Sequence, residues 1–294
     1  MELHLVDATY ELFRAHYAPR PTVRGRGGRV LSGVSGLIET LLSLMRDEGA
    51  THVGCATDRV IRSFRNDLFP GYKSEVGMPR ELLDQFPIAE RAIEALGFVL
   101  WSMLELEADD ALATAAARWA DAPGVERVLI CTPDKDMAQC VRDVRVVLRD
   151  RRRRITYDEA GVREKWGVEP ESIPDLLALV GDASDGYPGL PGWGAKTAAA
   201  VLARYGSIAA IPRRGSQWDV PVRGGPVLAA RLAAMEREAA LYLDLATLRT
   251  NAPLPQKSPN ELRWRGVPRA GFEAFCDELG LDSLRARPHR WRDD

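Results

Sequence analysis

The sequence predicts an α/β domain on a mostly parallel sheet, followed by an α-helical domain. Three observations predict it. Short apolar runs that end in polar residues recur through the first half of the chain. Helical patterns separate most of them, as in a parallel sheet with crossover helices. Beyond about residue 170 the strand signals stop and helical patterns take over.

In order, LHLVD (3–7) reads as the first strand, 33–48 as a helix and HVGCATD (52–58) as the second strand. FRNDLFPGYKSEVGMPRELL (64–83) mixes bases, aromatics, proline and glycine, and an excursion of that length is more often functional or mobile than packed. A helix at 80–96, the strand FVLWS (98–102), a helix at 109–120 and the strands RVLICTPD (127–134) and VRVVL (144–148) follow. A boundary near 165–172 divides the chain into expected domains 1–168 and 169–294. In the second, SIPDLLALVG (172–181), AKTAAAVLARYG (195–206) and VLAARLAAMEREAALYLDLATL (227–248) read as helices.

With 294 residues, 46% of them hydrophobic, the chain can build a real core. A net charge of −2 gives no nucleic-acid signature unless acids and bases segregate. Cys55, Cys131, Cys140 and Cys276 form no CxxC pair, and no histidine has ligand spacing, which argues against zinc and for a reducing, cytoplasmic setting. No run of about 18 apolar residues is present, so no membrane span is expected.

The acids carry the chemistry. Asp7 closes the first strand and Asp58 the second; Asp134 follows the fourth run, with Asp136 two residues on. In open α/β sheets the functional crevice lies beyond the carboxyl ends of the strands. LELEADDALAT (104–114) adds Glu107, Asp109 and Asp110 at a helix start, with Glu105 outside the set. An acid after a strand is often only a turn residue or helix cap. Seven carboxylates facing one crevice would repel unless cations compensate them, and an all-oxygen donor set favours Mg²⁺ or Mn²⁺.

GDASDGYPGLPGWGAKTAAAVL (181–202) passes through a glycine- and proline-dense turn into a helix. Gly192 and Gly194 allow close approach, free N–H groups at the helix start suit an anion, and Lys196 and Thr197 sit in its first turn. The pattern is that of a helix–hairpin–helix (about 172–206) that grips a nucleic-acid backbone, or else of an ordinary helical corner. Asp182 and Asp185 lie just ahead of it.

LVDATYELFRAHYA, FRNDLFPGYK, LELEADDALAT, TPDKDMAQCV and GDASDGYPGLPGWGAKTA together resemble the structure-specific 5′-nuclease (flap endonuclease) family, including the 5′ nuclease domain of bacterial DNA polymerase I. The resemblance spans roughly residues 3–250. It implies a PIN-like catalytic domain with a helical arch at about 64–96 and a C-terminal helix–hairpin–helix domain. It further implies hydrolysis of phosphodiester bonds in DNA with a 5′ flap, nick or 5′ end, with RNA–DNA hybrids as a further substrate, by a free-standing bacterial monomer associated with the nucleoid.

By resemblance, Asp7, Asp58, Glu107, Asp109, Asp110, Asp134 and Asp136 hold mainly one divalent ion, and Asp182 and Asp185 help hold a second. Lys73 is implied to face the scissile phosphate, Tyr72 to stack on a terminal base and Arg14 to join the catalytic set. Ser184 and carbonyls near Leu190 and Trp193 are implied K⁺ ligands. Setting aside the nine acids turns the net charge of −2 into +7, as a phosphate binder requires.

Departures exist. YK is followed by SEVG, so Glu75 and Val76 weaken the positive arch, and Gly186 stands where asparagine is common. The GGRV loop and the C-terminal 45 or so residues match poorly. Two competing readings are a catalytically inactive clamp for branched DNA and a PIN-type ribonuclease. The complete acid set argues against the first and the helical half against the second. The run RDRRRR (149–154) remains open between a duplex contact and a solvated strand end.

Overall fold

A computed structural model describes residues 1–292. The chain runs β1 (Glu2–Asp7), α1 (Ala8–His16), α2 (Ser32–Asp47), β2 (His52–Asp58), α3 (Arg65–Leu68), α4 (Arg80–Leu83), α5 (Phe86–Ala95), β3 (Val99–Met103), α6 (Ala108–Trp119) and β4 (Arg127–Cys131). It continues through β5 (Val146–Asp150), β6 (Ile155–Tyr157), α7 (Glu159–Trp166), α8 (Ile173–Val180), α9 (Ala195–Tyr205), α10 (Gly225–Ala234), α11 (Glu236–Ala246) and α12 (Arg269–Leu279). Two compact units share these elements: Met1–Ile61, Glu75–Thr132 and the segment from Thr250 onward form one, Arg62–Ser74 and Pro133–Arg249 the other.

In the first unit β1 pairs in parallel with β2 on one side and β4 on the other, and β2 pairs in parallel with β3. Parallel sheets are covered on both faces, so their strands read as apolar runs; Leu3, Leu5, Val6, Val53, Cys55 and Ile130 are fully buried. Gly54 on β2 has a packing reason. A Cβ there would meet the indole of Trp101 at 2.3 Å. α1 packs on α2 and α6 on the strands. The helix expected at 80–96 is two, α4 and α5, with Gln85 between them bonding back to the start of α2 through its side-chain oxygen (Gly33 N–H, 2.9 Å).

In the second unit β5 and β6 form an antiparallel hairpin. α8 packs against α9 and α11, with α3 also on α11. The expected helix at 227–248 is broken at Met235 (φ −119°, ψ 36°) into α10 and α11. α8, the turn and α9 form the expected helix–hairpin–helix. Gly181 (φ 87°) and Gly189 (φ 67°) cross there so closely that a Cβ on Gly189 would lie 2.3 Å from the Gly181 nitrogen. α3 is buried at Arg65, 1% exposed, whose guanidinium donates to the carbonyls of Leu245 (2.9 Å) and Thr247 (3.2 Å). That bond ties the segment carrying Tyr72 and Lys73 to the end of α11.

Candidate metal centre

On the first unit, acids sit at the carboxyl edge of the sheet. The register pairs Asp7 with Ala56 and Asp58 with Met103, so both lie at strand ends on one edge. Asp7 caps α1: Oδ1 accepts the Tyr10 N–H (2.8 Å) and Oδ2 the Thr132 hydroxyl (3.0 Å). The N–H of Ala108, first residue of α6, donates to Asp58 Oδ1 (2.8 Å), which fixes that helix start at the same edge. Glu107 and Asp110 form a capping box at α6; Asp110 is fully buried and Asp109 half-buried. Asp7, Asp58, Glu107 and Asp110 therefore hold helix-start N–H groups as well as being candidate ligands. Each oxygen offers two lone pairs, so capping leaves acceptor capacity.

On the second unit, Asp136, Asp182 and Asp185 bring carboxylate oxygens within 4.8 Å of one another, the one such triplet among the described residues. Asp136, placed by resemblance in the first set, lies beside the pair assigned by resemblance to the second ion. Asp136 and Asp182 are buried, and Asp136 Oδ1 has no hydrogen-bond partner. Burial, then the charges of Asp134, Asp185 and Asp182, push the Asp136 carboxyl well above its ordinary pKa despite Lys135. A buried, unpartnered oxygen among like charges is the environment a divalent cation relieves. Asp134 is exposed and accepts the Asp136 N–H (2.9 Å).

Lysines partly compensate the triplet. Lys135 Nζ donates to Asp182 Oδ2 (2.5 Å). Burial opposes its charge, but the bond to Asp182 and the fields of Asp136, Asp182 and Asp134 outweigh that and raise its pKa. Lys73 Nζ lies 3.5 Å from Asp185 Oδ1, and its N–H donates to the Asp185 carbonyl (2.9 Å). Tyr72 is 4% exposed and donates its hydroxyl to Asp185 Oδ2 (3.1 Å). Its ring is covered, so in this conformation the residue orients Asp185 rather than offering a face to a base.

Sequence reasoning missed Lys135 as a partner of Asp182, since 47 residues separate them. It also missed Tyr187, 1% exposed and stacked on Tyr242, whose hydroxyl lacks a partner. Burial and the charges of Asp136, Asp185 and Asp182 push that hydroxyl far above its ordinary pKa. Arg14 lies seven residues, about 10 Å along α1, from Asp7. It donates to Glu11 (2.7 Å) and Thr40 (2.8 Å) and lines a cleft of about 420 Å³ with Arg20, Arg46 and Arg287.

In the hairpin, Gly192, Gly194 and Lys196 are exposed and Thr197 half-buried at the start of α9, where no side chain caps the helix. Ser184 is exposed, and its N–H donates to Asp182 Oδ1 (2.8 Å). The Leu190 carbonyl accepts the Trp193 N–H (3.1 Å), and both residues are buried.

The fold is thus a parallel sheet with carboxylates at its strand ends and a helix–hairpin–helix unit that holds a carboxylate triplet, two of its acids buried. The family profile for the N-terminal resolvase-like domain of 5′-3′ exonucleases matches residues 2–167, and that for their C-terminal SAM fold residues 168–270. The chain belongs to the 5′-3′ exonuclease family.

DNA polymerase I of Mycobacterium tuberculosis is 36% identical over 292 residues, covering 97% of this chain and 31% of the relative. DNA polymerase I of Bacillus subtilis is 31% identical over 291 residues, covering 97% and 32%. The chain thus spans about a third of the length of the curated relatives it matches. Among solved structures, T5 5′-exonuclease with divalent zinc bound superposes with a TM-score of 0.67 at 20% identity, covering 98% of this chain and 100% of that one. The catalytic core of Rad2 in complex with DNA substrate gives 0.60 at 15%, covering 94% and 86%. Both share the fold. Among the described residues no helix is long and apolar enough to cross a membrane.

Proposed function

We propose that the chain is a divalent-cation-dependent 5′-3′ exonuclease and 5′-flap endonuclease. Its substrates are DNA with a 5′ flap, nick or 5′ end, and the RNA strand of an RNA–DNA hybrid, met at the nucleoid in the cytoplasm. The observation that carries this reading is the triplet Asp136, Asp182 and Asp185, the first two buried, with an unpartnered Asp136 oxygen, in a chain of this family.

The triplet, and separately Asp7, Asp58, Glu107, Asp109 and Asp110 at the sheet edge, would hold Mg²⁺ or Mn²⁺; Asp134 backs the triplet through the Asp136 N–H. When bound, such cations supply charge compensation and activate water for in-line attack on a phosphodiester. The chain's own groups bind and orient. The uncapped N–H groups of α9, with Lys196 and the Thr197 hydroxyl, take backbone phosphates, and Gly194, with open space beside it, leaves room for them, whereas Gly192 packs against Arg231. Lys73 faces the reacting phosphate as a point charge while Tyr72 fixes Asp185. Ser184 and the carbonyls near Leu190 and Trp193 offer a K⁺ site in the hairpin turn, which would stiffen it.

Product sizing on matched flap, nick, overhang and hybrid oligonucleotides, with Mg²⁺ and Mn²⁺ compared, tests the proposal. Cation-dependent shortening from the 5′ side is expected. No cleavage with either ion in purified protein would overturn it.

A further inference from the structure

Four consecutive arginines, Arg151 to Arg154, make up the whole turn between β5 and β6, and Arg149 precedes them on the strand. The strands pair Leu148 with Tyr157, Arg149 with Thr156 and Asp150 with Ile155, so the turn has four residues and no slack. Glycine, asparagine and aspartate usually fill such turns because they tolerate left-handed backbone. Here Arg154 occupies that region at φ 59°. Residues other than glycine are disfavoured there. An unfavourable residue at an unfavourable dihedral points to use rather than to folding.

Arg149, Arg151 and Arg153 have partners within the fold, which leaves Arg152 and Arg154. Asp150 is 3% exposed, and its carboxylate accepts the Arg153 N–H (2.9 Å) and guanidinium (3.2 Å). Arg149 donates to the Thr156 hydroxyl (2.9 Å). Arg152 and Arg154 are exposed, with no ion pair or side-chain hydrogen bond among the described residues. Arg142 and Arg145, also exposed, flank the start of β5. In a chain whose net charge is −2, this concentrates mutual repulsion in one short turn. Its root is firm, because β5 packs against the 3₁₀ turn Asp136–Cys140 that begins with a triplet acid.

We propose that the β5–β6 arginine turn is a second nucleic-acid surface of this chain, holding phosphates of the substrate beyond those taken by the hairpin. The planar guanidinium fork matches phosphate oxygens. Such contacts fix position and register without reading bases. The inference rests on the proposed function only for the identity of the polyanion.

The test is the salt dependence of binding. A labelled 5′-flap oligonucleotide is titrated with the protein in EDTA, from about 50 to 200 mM KCl, and anisotropy is read. R152Q/R154G removes two charges and places glycine where the backbone is left-handed, so the hairpin should stay folded. The slope of log Kobs against log salt is expected to fall by about 1.8, two phosphate contacts at roughly 0.9 each, with binding weakened about tenfold or more near 0.1 M salt. R152K/R154K should keep the parent slope, because a phosphate contact needs the charge. An unchanged slope in R152Q/R154G with an unchanged melting temperature overturns the inference; so does loss of the slope in the lysine variant. A turn that instead held a protein or a membrane surface would leave the slope unaltered. Flap cleavage by the unaltered protein in Mg²⁺ is measured alongside, so failure of the proposed function is read separately.

Discussion

Tyr72→Phe separates two roles for one side chain. If the ring stacks on a base, phenylalanine preserves it and little changes. If the hydroxyl orients Asp185, as the 3.1 Å bond indicates, the variant loses that bond and keeps the packing. A hydrogen bond to a charged acceptor contributes roughly 1.5–3 kcal/mol. At 3.1 Å the contact is longer than the ~2.5–2.7 Å of strong hydroxyl–carboxylate bonds, so the lower value applies. About 1.5 kcal/mol corresponds to roughly a tenfold weaker hold on the cation by Asp185 and its neighbours. Lys73, still 3.5 Å from the same carboxylate, keeps it from swinging free and limits the loss. The assays are Mn²⁺ binding by calorimetry and the Mg²⁺ midpoint of flap cleavage. Both midpoints should rise about tenfold, with the cleavage rate at saturating cation near that of the parent. A midpoint within twofold of the parent, or a rate loss that excess cation cannot restore, would refute the reasoning.

Two further outcomes follow from buried acids. Asp136→Asn keeps the shape but removes a buried charge facing Asp134, Asp182 and Asp185. The cation-free protein should melt a few degrees higher in calorimetry with EDTA, since about 1 kcal/mol corresponds to roughly 2–4 °C at this size, while cleavage is lost; a lower melting point would contradict this. Asp175, 7% exposed, accepts the Ile208 N–H (2.6 Å), and burial, only partly offset by that bond, raises its pKa. The folded state therefore holds the proton to a higher pH than the unfolded one, and stability falls as pH rises from the unfolded pKa of about 3.9 through the raised folded value. Asp175→Asn still accepts the Ile208 N–H and cannot titrate. Its urea midpoint should vary less between about pH 4 and 7 and be no lower than the parent's at neutrality.

The parts of the fold that were legible are those in which burial and chemistry coincide. β1, β2 and β4 are covered on both faces, so their apolar runs stand out and the acids that end them mark the sheet's edge. α1 was harder. It buries Glu11 against Arg14, and a periodicity reading counts that pair as polar surface. β6 is three residues long and largely exposed, which leaves no apolar pattern to detect. The break at Met235 lies inside a continuous apolar, charged helical pattern, because only tertiary packing decides that α10 and α11 diverge. Tyr72 carries no sequence mark of burial: beside Lys73 and Gly71 it reads as a surface aromatic, and its bond to Asp185 spans 113 positions.

The choice between cap and ligand was also not a choice. Asp7 and Glu107 do what an acid at a helix start ordinarily does, closing α1 and α6. Capping requires the carboxylate to sit beside free N–H groups, which fixes its rotamer and favours its ionised form. A cation needs the same two things from a ligand: a fixed position and a negative charge. The Ala108 N–H on Asp58 and the Thr132 hydroxyl on Asp7 extend that orientation to neighbouring strand ends. A sequence reading that sets structural against functional roles therefore discounts the positions where one hydrogen bond serves both. The second unit shows the contrast: Asp136 caps nothing, keeps an unpartnered oxygen and pays for it in a raised pKa, so its placement makes physical sense chiefly through the charge it can hold.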